Sequence, residues 1–301
     1  MNVTAIINPL SGAGTDPREA ARRIARLTDR FRAGGIDGTI VLTERAGHAR
    51  EIAAAAVARG ADVVVVWGGD GTVNEVGSVV AGTAVSLGIV PAGSGNGLAS
   101  AIGVPRDPDQ ALRVALHGTT RVIDAGDMGG RLFFNIAGIG VDAAIARRFN
   151  RLARGRRGMG PYLRIGIHEA WRYRSARYRI RLDGDTLEAD ALLIAFANGP
   201  EYGNRARIAP HASLDDGRLE AVVVADRHAV ARVWSGRHLI FGTAQRAPGV
   251  LCRSIECATI ETDGPIGYHV DGEPDEAGGS IAVRVRRGVL RVRVPRKETD
   301  G

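Results

Sequence analysis

The chain has 301 residues, 45% of them hydrophobic and 24% charged, which favours about two domains with a buried core and argues against disorder. Forty Lys plus Arg stand against 33 Asp plus Glu, yet only one of those cations is a lysine, Lys297, so a Walker A loop and a protein-kinase strand lysine are both excluded from the body of the chain. No apolar run approaches the roughly 20 residues that span a bilayer, and Cys252 and Cys257 are too few for a disulfide framework or a structural zinc site.

The stretch Met1–Pro9 has neither a basic n-region nor a cleavage site, so no signal peptide is expected, and the two thiols suit a reducing cytoplasm. Val3–Asn8 reads as a short buried strand ending in the turn Asn8-Pro9-Leu10-Ser11-Gly12-Ala13-Gly14. A helix follows, with Asp16 as N-cap, Pro17 at its first position, Glu19 completing a capping box, and Ile24, Leu27 and Phe31 at helical spacing up to Gly34-Gly35. Thr39–Thr43 is a second strand and His48–Arg59 an alanine-rich helix. Ala61–Trp67 is apolar on both faces, as a strand buried in a parallel sheet must be. Thr72–Ala81 is expected to be helical, Leu87–Val90 a strand and Pro108–His117 a helix. This alternation predicts an α/β fold: a doubly wound, Rossmann-like domain over residues 1–121.

From about residue 122 to 301 the texture changes. Val141, Ile145, Phe149 and Leu152 mark one helix, and a second is expected over Tyr162–Arg172. Tyr178–Leu182 and Leu290–Val294 alternate with period two, and Asp183-Gly184 and Arg287-Gly288 read as hairpin turns. The second domain is therefore expected to be an antiparallel β-sandwich-like body with inserted helices, the final strand at 290–296 being a candidate to return to the first domain.

The strongest motif is Gly68-Gly69-Asp70-Gly71-Thr72-Val73-Asn74-Glu75, directly after the buried third strand. Its glycines let backbone N–H groups close on phosphate oxygens, and the helix behind adds its positive dipole end. Asp70 amid such a cradle calls for a cation between it and the phosphates; the plain alternative is a glycine-rich turn with an N-capping aspartate. Two more glycine-rich turns, the one at Asn8–Gly14 and Pro91-Ala92-Gly93-Ser94-Gly95-Asn96-Gly97, also end strands. Ligands of open parallel sheets bind beyond the carboxyl ends of the strands, so all three turns are expected to converge on one crevice.

These strings, with Phe134–Ala143, Ala197-Asn198-Gly199, Tyr202-Gly203, Ile208-Ala209-Pro210, Leu214–Gly217 and Val270-Asp271-Gly272-Glu273, resemble the catalytic region shared by diacylglycerol kinases, sphingosine kinases and bacterial lipid kinases. The resemblance runs in order along nearly the whole chain. It implies an ATP- and Mg2+-dependent lipid kinase. The ATP site would comprise Asn8, Pro9, Ser11, Gly12, Thr43, Gly68, Gly69, Asp70, Gly71, Thr72, Asn74, Ser94 and Asn96. It further implies that Glu273 takes the proton from the acceptor hydroxyl with Asp271 beside it, Asp70 serving the metal. A carboxylate can accept an alcohol's proton in this way, although Asp-Gly-Glu by itself is also an ordinary hairpin turn. A structural metal is implied at the Asp216 side chain with carbonyls near Ser213 and Arg218, and Asp215-Asp216-Gly217 alternatively reads as a plain turn. Asp124 matches an aspartate near the reaction centre. Many bacterial relatives carry Asn-Asp in the third turn; here Asn96 is followed by Gly97, wording closer to the sphingosine kinase type.

Between Arg147 and Arg181 stand twelve arginines and a single acidic residue, Glu169, interleaved with aromatic and aliphatic side chains. Such a segment suits an anionic membrane surface, placing the protein peripherally at the inner face of the membrane, with Arg164 as the headgroup contact; a solvated basic face is the bland alternative. No motif supports nucleic-acid binding, and a homodimer is a further candidate. Two rival functions stand beside the lipid kinase: a kinase of a soluble acceptor using the same GGDGT loop, as NAD kinases do, and a non-catalytic nucleotide-binding regulator.

Overall fold

A computed structural model describes residues 1–12, 17–152, 173–200, 208–226 and 247–296. The chain divides into two compact units, Met1–Ile123 with Gly288–Gly301, and Asp124–Arg287.

The first unit alternates as its hydrophobic pattern demands: β1 (Asn2–Ile7), α1 (Pro17–Gly34), β2 (Asp37–Leu42), α2 (His48–Ala58), β3 (Val63–Gly68), α3 (Asp70–Val80), β4 (Ser86–Pro91), α4 (Gly97–Ala101) and α5 (Pro108–His117). Every residue of β3 is buried, as befits a strand with a parallel neighbour on each side and α3 and α5 packed against it. The strands are parallel in the order β2-β1-β3-β4, so the connection direction reverses between β1 and β3. That reversal is the topological switch point of a Rossmann-like sheet, where such folds bind ligands. Helix α5 starts as its sequence dictates, with Pro108 in the first turn and the Asp107 carboxylate accepting from Gln110 N at 2.9 Å.

The chain continues through β5 (Thr119–Met128), β6 (Arg131–Phe133), β7 (Ile136–Gly140), α6 (Val141–Leu152), β8 (Ala176–Leu182), β9 (Asp185–Ala197), β10 (Leu219–Ala225), β11 (Val250–Ile255), β12 (Cys257–Glu261), β13 (Ile266–Val270), β14 (Glu273–Ala277) and β15 (Ser280–Val294). Within the second unit the ladders are antiparallel. In β8 the buried Tyr178, Ile180 and Leu182 alternate with exposed Arg177, Arg179 and Arg181, the signature of a sheet with one face on a core. Strand β9 carries the division into layers: its first half pairs β8, while its second half lies between β7 and β10. Two apolar clusters result, one around Phe133, Ile194, Phe196, Ile260 and Tyr268, the other around Ile136, Leu192, Ile208 and Val222. This is the expected β-sandwich-like body, with α6 as an inserted helix; the second expected helix, at 162–172, lies outside the described residues.

One expected turn is overturned. Asp183-Gly184 does form the two-residue β8–β9 hairpin, with φ of 48° and 97°. Arg287-Gly288 does not: β15 runs through it as one strand from Ser280 to Val294. Only Gly288 has positive φ there, 59°, so the strand kinks instead of reversing. Its first part pairs β12 and its last part pairs β4 in parallel, through Arg291↔Ser86 and Val292↔Leu87.

Candidate functional site

The turns after β1, β3 and β4 meet at the switch point. Asn8 donates from its side chain to the Thr72 hydroxyl at 2.9 Å, and its backbone N–H reaches the Trp67 carbonyl at 2.9 Å. A methyl group on Gly93 would stand 2.8 Å from the Gly69 Cα, and one on Gly12 3.4 Å from the Ala92 carbonyl oxygen, so the second turn touches the third backbone to backbone and the first closes on the third. Thr43, just past β2, joins the group through its N–H to the Ile7 carbonyl at 2.9 Å. The positions named from sequence as Asn8, Pro9, Ser11, Gly12, Thr43, Gly68–Thr72, Asn74, Ser94 and Asn96 thus lie on adjoining turns at one end of the sheet and in the start of α3. Ser94 is exposed, while Thr72 and Asn74 are buried.

Helix α3 begins within this group. Its N-cap, Gly69, offers no side-chain cap, and the first N–H groups of an α-helix find their partners outside it. Asp70 does not stand bare beside them. Its carboxylate accepts from Asn96 N at 2.8 Å and from Gly97 N at 2.7 Å, the first amides of the third turn's helix. Asn96 is in the left-handed region, φ 55°, and its side-chain amide closes the same turn onto Gly93, accepting from its N–H at 2.8 Å and donating to its carbonyl at 2.7 Å. Asp70 therefore locks the second turn to the third, and Asn96 holds the third in shape.

The first turn is moulded around a buried cation. Arg23, on the core-facing side of α1 with Leu27 and Phe31, is 5% exposed. Its guanidinium donates to the Asn8 carbonyl at 3.1 Å, the Ser11 hydroxyl at 3.0 Å and the Ser11 carbonyl at 2.9 Å, pairs with Glu19 at 3.2 Å, and stacks over Trp67 at 5.6 Å. The Ser11 hydroxyl also donates to the Asn8 carbonyl at 2.7 Å, so it is spent on the turn itself.

In the second unit, Asp271 and Gly272 form the two-residue connection of the β13–β14 hairpin, with φ of 47° and 86°, and Glu273 opens β14 opposite Val270. The Asp271 carboxylate accepts from the N–H groups of Phe134, Asn135 and Ile136 at 2.9, 3.0 and 3.0 Å. Three such bonds make it an anchor for the β6–β7 connection. Glu273, two residues on, is exposed. Beneath the hairpin lies His269, 1% exposed, with Nε2 at 2.5 Å from Asp142 Oδ2 and Nδ1 accepting from Gly272 N at 3.2 Å. Burial favours its neutral ring, but Asp142, with Asp271 and Glu273, outweighs that and raises its pKa above the ordinary 6.5.

Asp124 is buried in β5, where its carboxylate accepts from Gly217 N at 2.7 Å and its N–H donates to the Leu214 carbonyl at 2.6 Å. It anchors the turn that carries Ser213, Asp216 and Arg218. The Asp216 carboxylate accepts from Arg218 N at 3.0 Å, and the Arg218 guanidinium reaches Ser254, Asp183 and Glu256. Among the described residues no group of three or more His, Cys, Asp or Glu is arranged to hold a metal. Arg164, Tyr202 and Gly203 lie outside the described residues.

Residues 2–128 match the model of the diacylglycerol kinase catalytic domain, and residues 135–294 match that of the YegS C-terminal NAD kinase beta sandwich-like domain. A Mycobacterium tuberculosis protein named diacylglycerol kinase is 39% identical over 225 residues, covering 72% of this chain and 71% of that one. The chain belongs to the diacylglycerol kinase family of lipid kinases. A second relative in this family, from Chromohalobacter salexigens and named a probable lipid kinase YegS-like protein, is 31% identical over 277 residues, 89% of this chain and 86% of its own. The fold is also that of a Bacillus anthracis structure described as a diacylglycerol kinase, with a TM-score of 0.75 at 21% identity over 97% of this chain and 96% of that one. Among the described residues no helix is long and apolar enough to cross a membrane.

Against the diacylglycerol kinase pattern, sequence reasoning passed over several residues that shape the site. Arg23 was one; its signal was an arginine four and eight residues before Leu27 and Phe31, on the face that must be buried. Glu75, three residues past the GGDGT string, accepts from Gly47 N at 3.0 Å and so caps α2, which has no side-chain cap of its own. His269 and Asp142 lie 127 positions apart, and nothing local announces their pairing.

Proposed function

We propose that this chain is an ATP-dependent kinase that transfers the γ-phosphoryl group to a hydroxyl of diacylglycerol or a closely related lipid alcohol. The observation that carries the reading is the backbone-to-backbone packing of the three glycine turns, with Asp70 bonded to Asn96 and Gly97 across them. Phosphoryl transfer asks the protein mainly for positioning and for charge stabilisation of the phosphate oxygens. Helix N-terminal amides and closely packed glycines supply the first in a chain whose one lysine is Lys297.

Magnesium would complement this set at Asp70. One carboxylate without two further ligands nearby does not make a protein cage, but Mg2+ commonly takes one or two carboxylates and fills its shell with water and phosphate. When bound it would neutralise charge developing on the transferred group. Asp70 would keep its two backbone bonds and hold the second and third turns at fixed spacing around the polyphosphate. Asp216, with backbone oxygens near Ser213 and Arg218, remains the candidate for a separate structural cation.

Glu273 would accept the proton of the lipid hydroxyl as the new P–O bond forms. Glu273 is exposed at the head of β14, whereas Asp271 is committed to three backbone N–H groups and supports the turn. The relatives' names favour a lipid acceptor. A panel of diacylglycerol, sphingoid base and NAD, offered with Mg2+ and γ-labelled ATP, tests the reading. Labelled lipid is expected; labelled NAD alone, or nucleotide binding without any product, overturns it.

A further inference from the structure

We infer that His269 is a positioning residue for Glu273, holding the Asp271–Gly272 turn from below and tying it to α6 through Asp142. The inference rests on the reading of Glu273 as proton acceptor.

The geometry is specific. The imidazole is buried between the hairpin and the helix, and its two nitrogens face opposite ways: Nδ1 accepts the Gly272 N–H at 3.2 Å, and Nε2 meets Asp142 Oδ2 at 2.5 Å. An acceptor role at Nδ1 leaves the proton on Nε2, where it is donated to the carboxylate. Asp142 lies in the first turn of α6, is itself buried, and gains from the helix's positive end. Gly138 on β7 makes room for the pair, since a methyl group there would fall on the Asp142 carboxylate and within 2.8 Å of His269 Nε2. Three elements thus converge on one ring: β13, which carries it, α6, which supplies its acceptor, and β7, which is stripped of a side chain beneath it.

The consequence falls on Glu273. The hairpin connection is only two residues long, and Gly272 is the one immediately before the glutamate. One side of that turn is fixed by Asp271 on the Phe134–Ile136 backbone and the other by His269. A buried ring with both nitrogens committed has no access to a substrate, so its contribution is to where the carboxylate stands. A misplacement of about 1 Å at a reacting group can cost about a hundredfold in rate.

Protonation connects the same contact to pH. A ring protonated on both nitrogens cannot accept from Gly272, so the turn loses this hold as pH falls through the pKa of His269. The charges facing the ring are Asp142 on α6, Asp271 in the turn and Glu273 on β14. The other nearby charges pair among themselves, Arg147 with Glu276 at 3.5 Å and Arg131 with Asp275 at 2.7 Å.

The test compares His269→Phe, His269→Asn and Glu273→Gln in the full chain, reading kcat, the KM for ATP and the pH profile of kcat on the best lipid of the panel. His269→Phe keeps a planar ring but has no acceptor, and it is expected to lower kcat about tenfold or more with the KM for ATP unchanged. His269→Asn places an amide oxygen where Nδ1 stood; it is expected to recover part of that loss and to hold its turnover to lower pH than the wild type, because its acceptor does not titrate. Wild-type kcat and pH profile in His269→Phe, beside a hundredfold loss in Glu273→Gln, overturn this inference alone. Equal losses in both His269 variants, with thermal stability falling in parallel and no change in pH profile, also overturn it by making the residue merely structural. Full turnover in Glu273→Gln overturns the proton-acceptor reading and this inference with it.

Discussion

Asp70 and Asn96, 26 positions apart, are joined by a hydrogen bond of 2.8 Å from the asparagine N–H to the aspartate carboxylate. The same carboxylate holds Gly97 N at 2.7 Å, so one side chain fixes the spacing of two glycine-rich turns. Asp70→Asn replaces one acceptor oxygen with an NH2 group that must face a backbone N–H. The substitution is expected to lower turnover at least about a hundredfold and to cost about 1–3 kcal/mol of stability through the broken charge-assisted bond. Steady-state kinetics and urea unfolding of the same preparation check both; unchanged turnover would remove Asp70 from the site.

Arg23 makes a parallel case for the first turn. Arg23→Lys keeps a charge but loses the planar fork that reaches the Asn8 and Ser11 carbonyls together. Stability is expected to fall by about 1–3 kcal/mol, mostly from carbonyls left without donors; the Glu19 pair adds little because that carboxylate is 40% exposed. ATP affinity, measured by titration calorimetry, is expected to fall with it.

Gly93→Ala tests the convergence of the turns without touching a charge. Its new methyl group would lie 2.8 Å from the Gly69 Cα and 2.9 Å from the Asn96 side-chain oxygen, so the two turns must part. Overpacking of this kind costs about 1–3 kcal/mol, and ATP binding is expected to weaken about tenfold. Gly82→Ala serves as control for a surface glycine: it has φ 76° and no atom near the added methyl, so it is expected to strain the fold slightly and leave ATP binding alone.

The raised pKa of His269 carries a stability consequence with a definite sign. A group whose folded pKa lies above its ordinary 6.5 contributes its full stabilisation below 6.5 and loses it as pH rises through the folded value. Wild type is therefore expected to exceed Asp142→Asn in unfolding free energy by more at about pH 5.5 than at a pH above the raised His269 value. Unfolding curves at the two pH values decide it, and a gap that widens with pH contradicts the assignment.

Much of the fold was legible because local pattern and global role coincide. The run Val63–Trp67 is apolar on both faces and occupies a fully buried position in the sheet; the Tyr178–Leu182 alternation marks a strand with one wet face. Arg287-Gly288 misled because a single left-handed glycine looks the same in sequence whether the chain reverses or kinks, and only pairing partners on both sides of Gly288 distinguish the two. The glycine turns and Asp70 announced themselves through local pattern, whereas the Asp-Gly-Glu string stood out only through the family resemblance. What the string did not announce was division of labour: Asp271 is spent on three backbone N–H groups, and Asn96 on its own turn. Such commitments depend on partners more than a hundred positions away, or on a turn's three-dimensional closure, and spacing carries neither.

The central claim is that a polyphosphate held by the Asp70-locked turns is passed to a lipid hydroxyl whose proton goes to Glu273. The most direct measurement is transfer of labelled γ-phosphate from ATP to diacylglycerol in mixed micelles, comparing wild type with Glu273→Gln. Labelled lipid from the wild type, reduced about a hundredfold or more in the variant with ATP binding intact, is the expected result. Equal labelling by both proteins, or none by the wild type on any lipid offered, contradicts it.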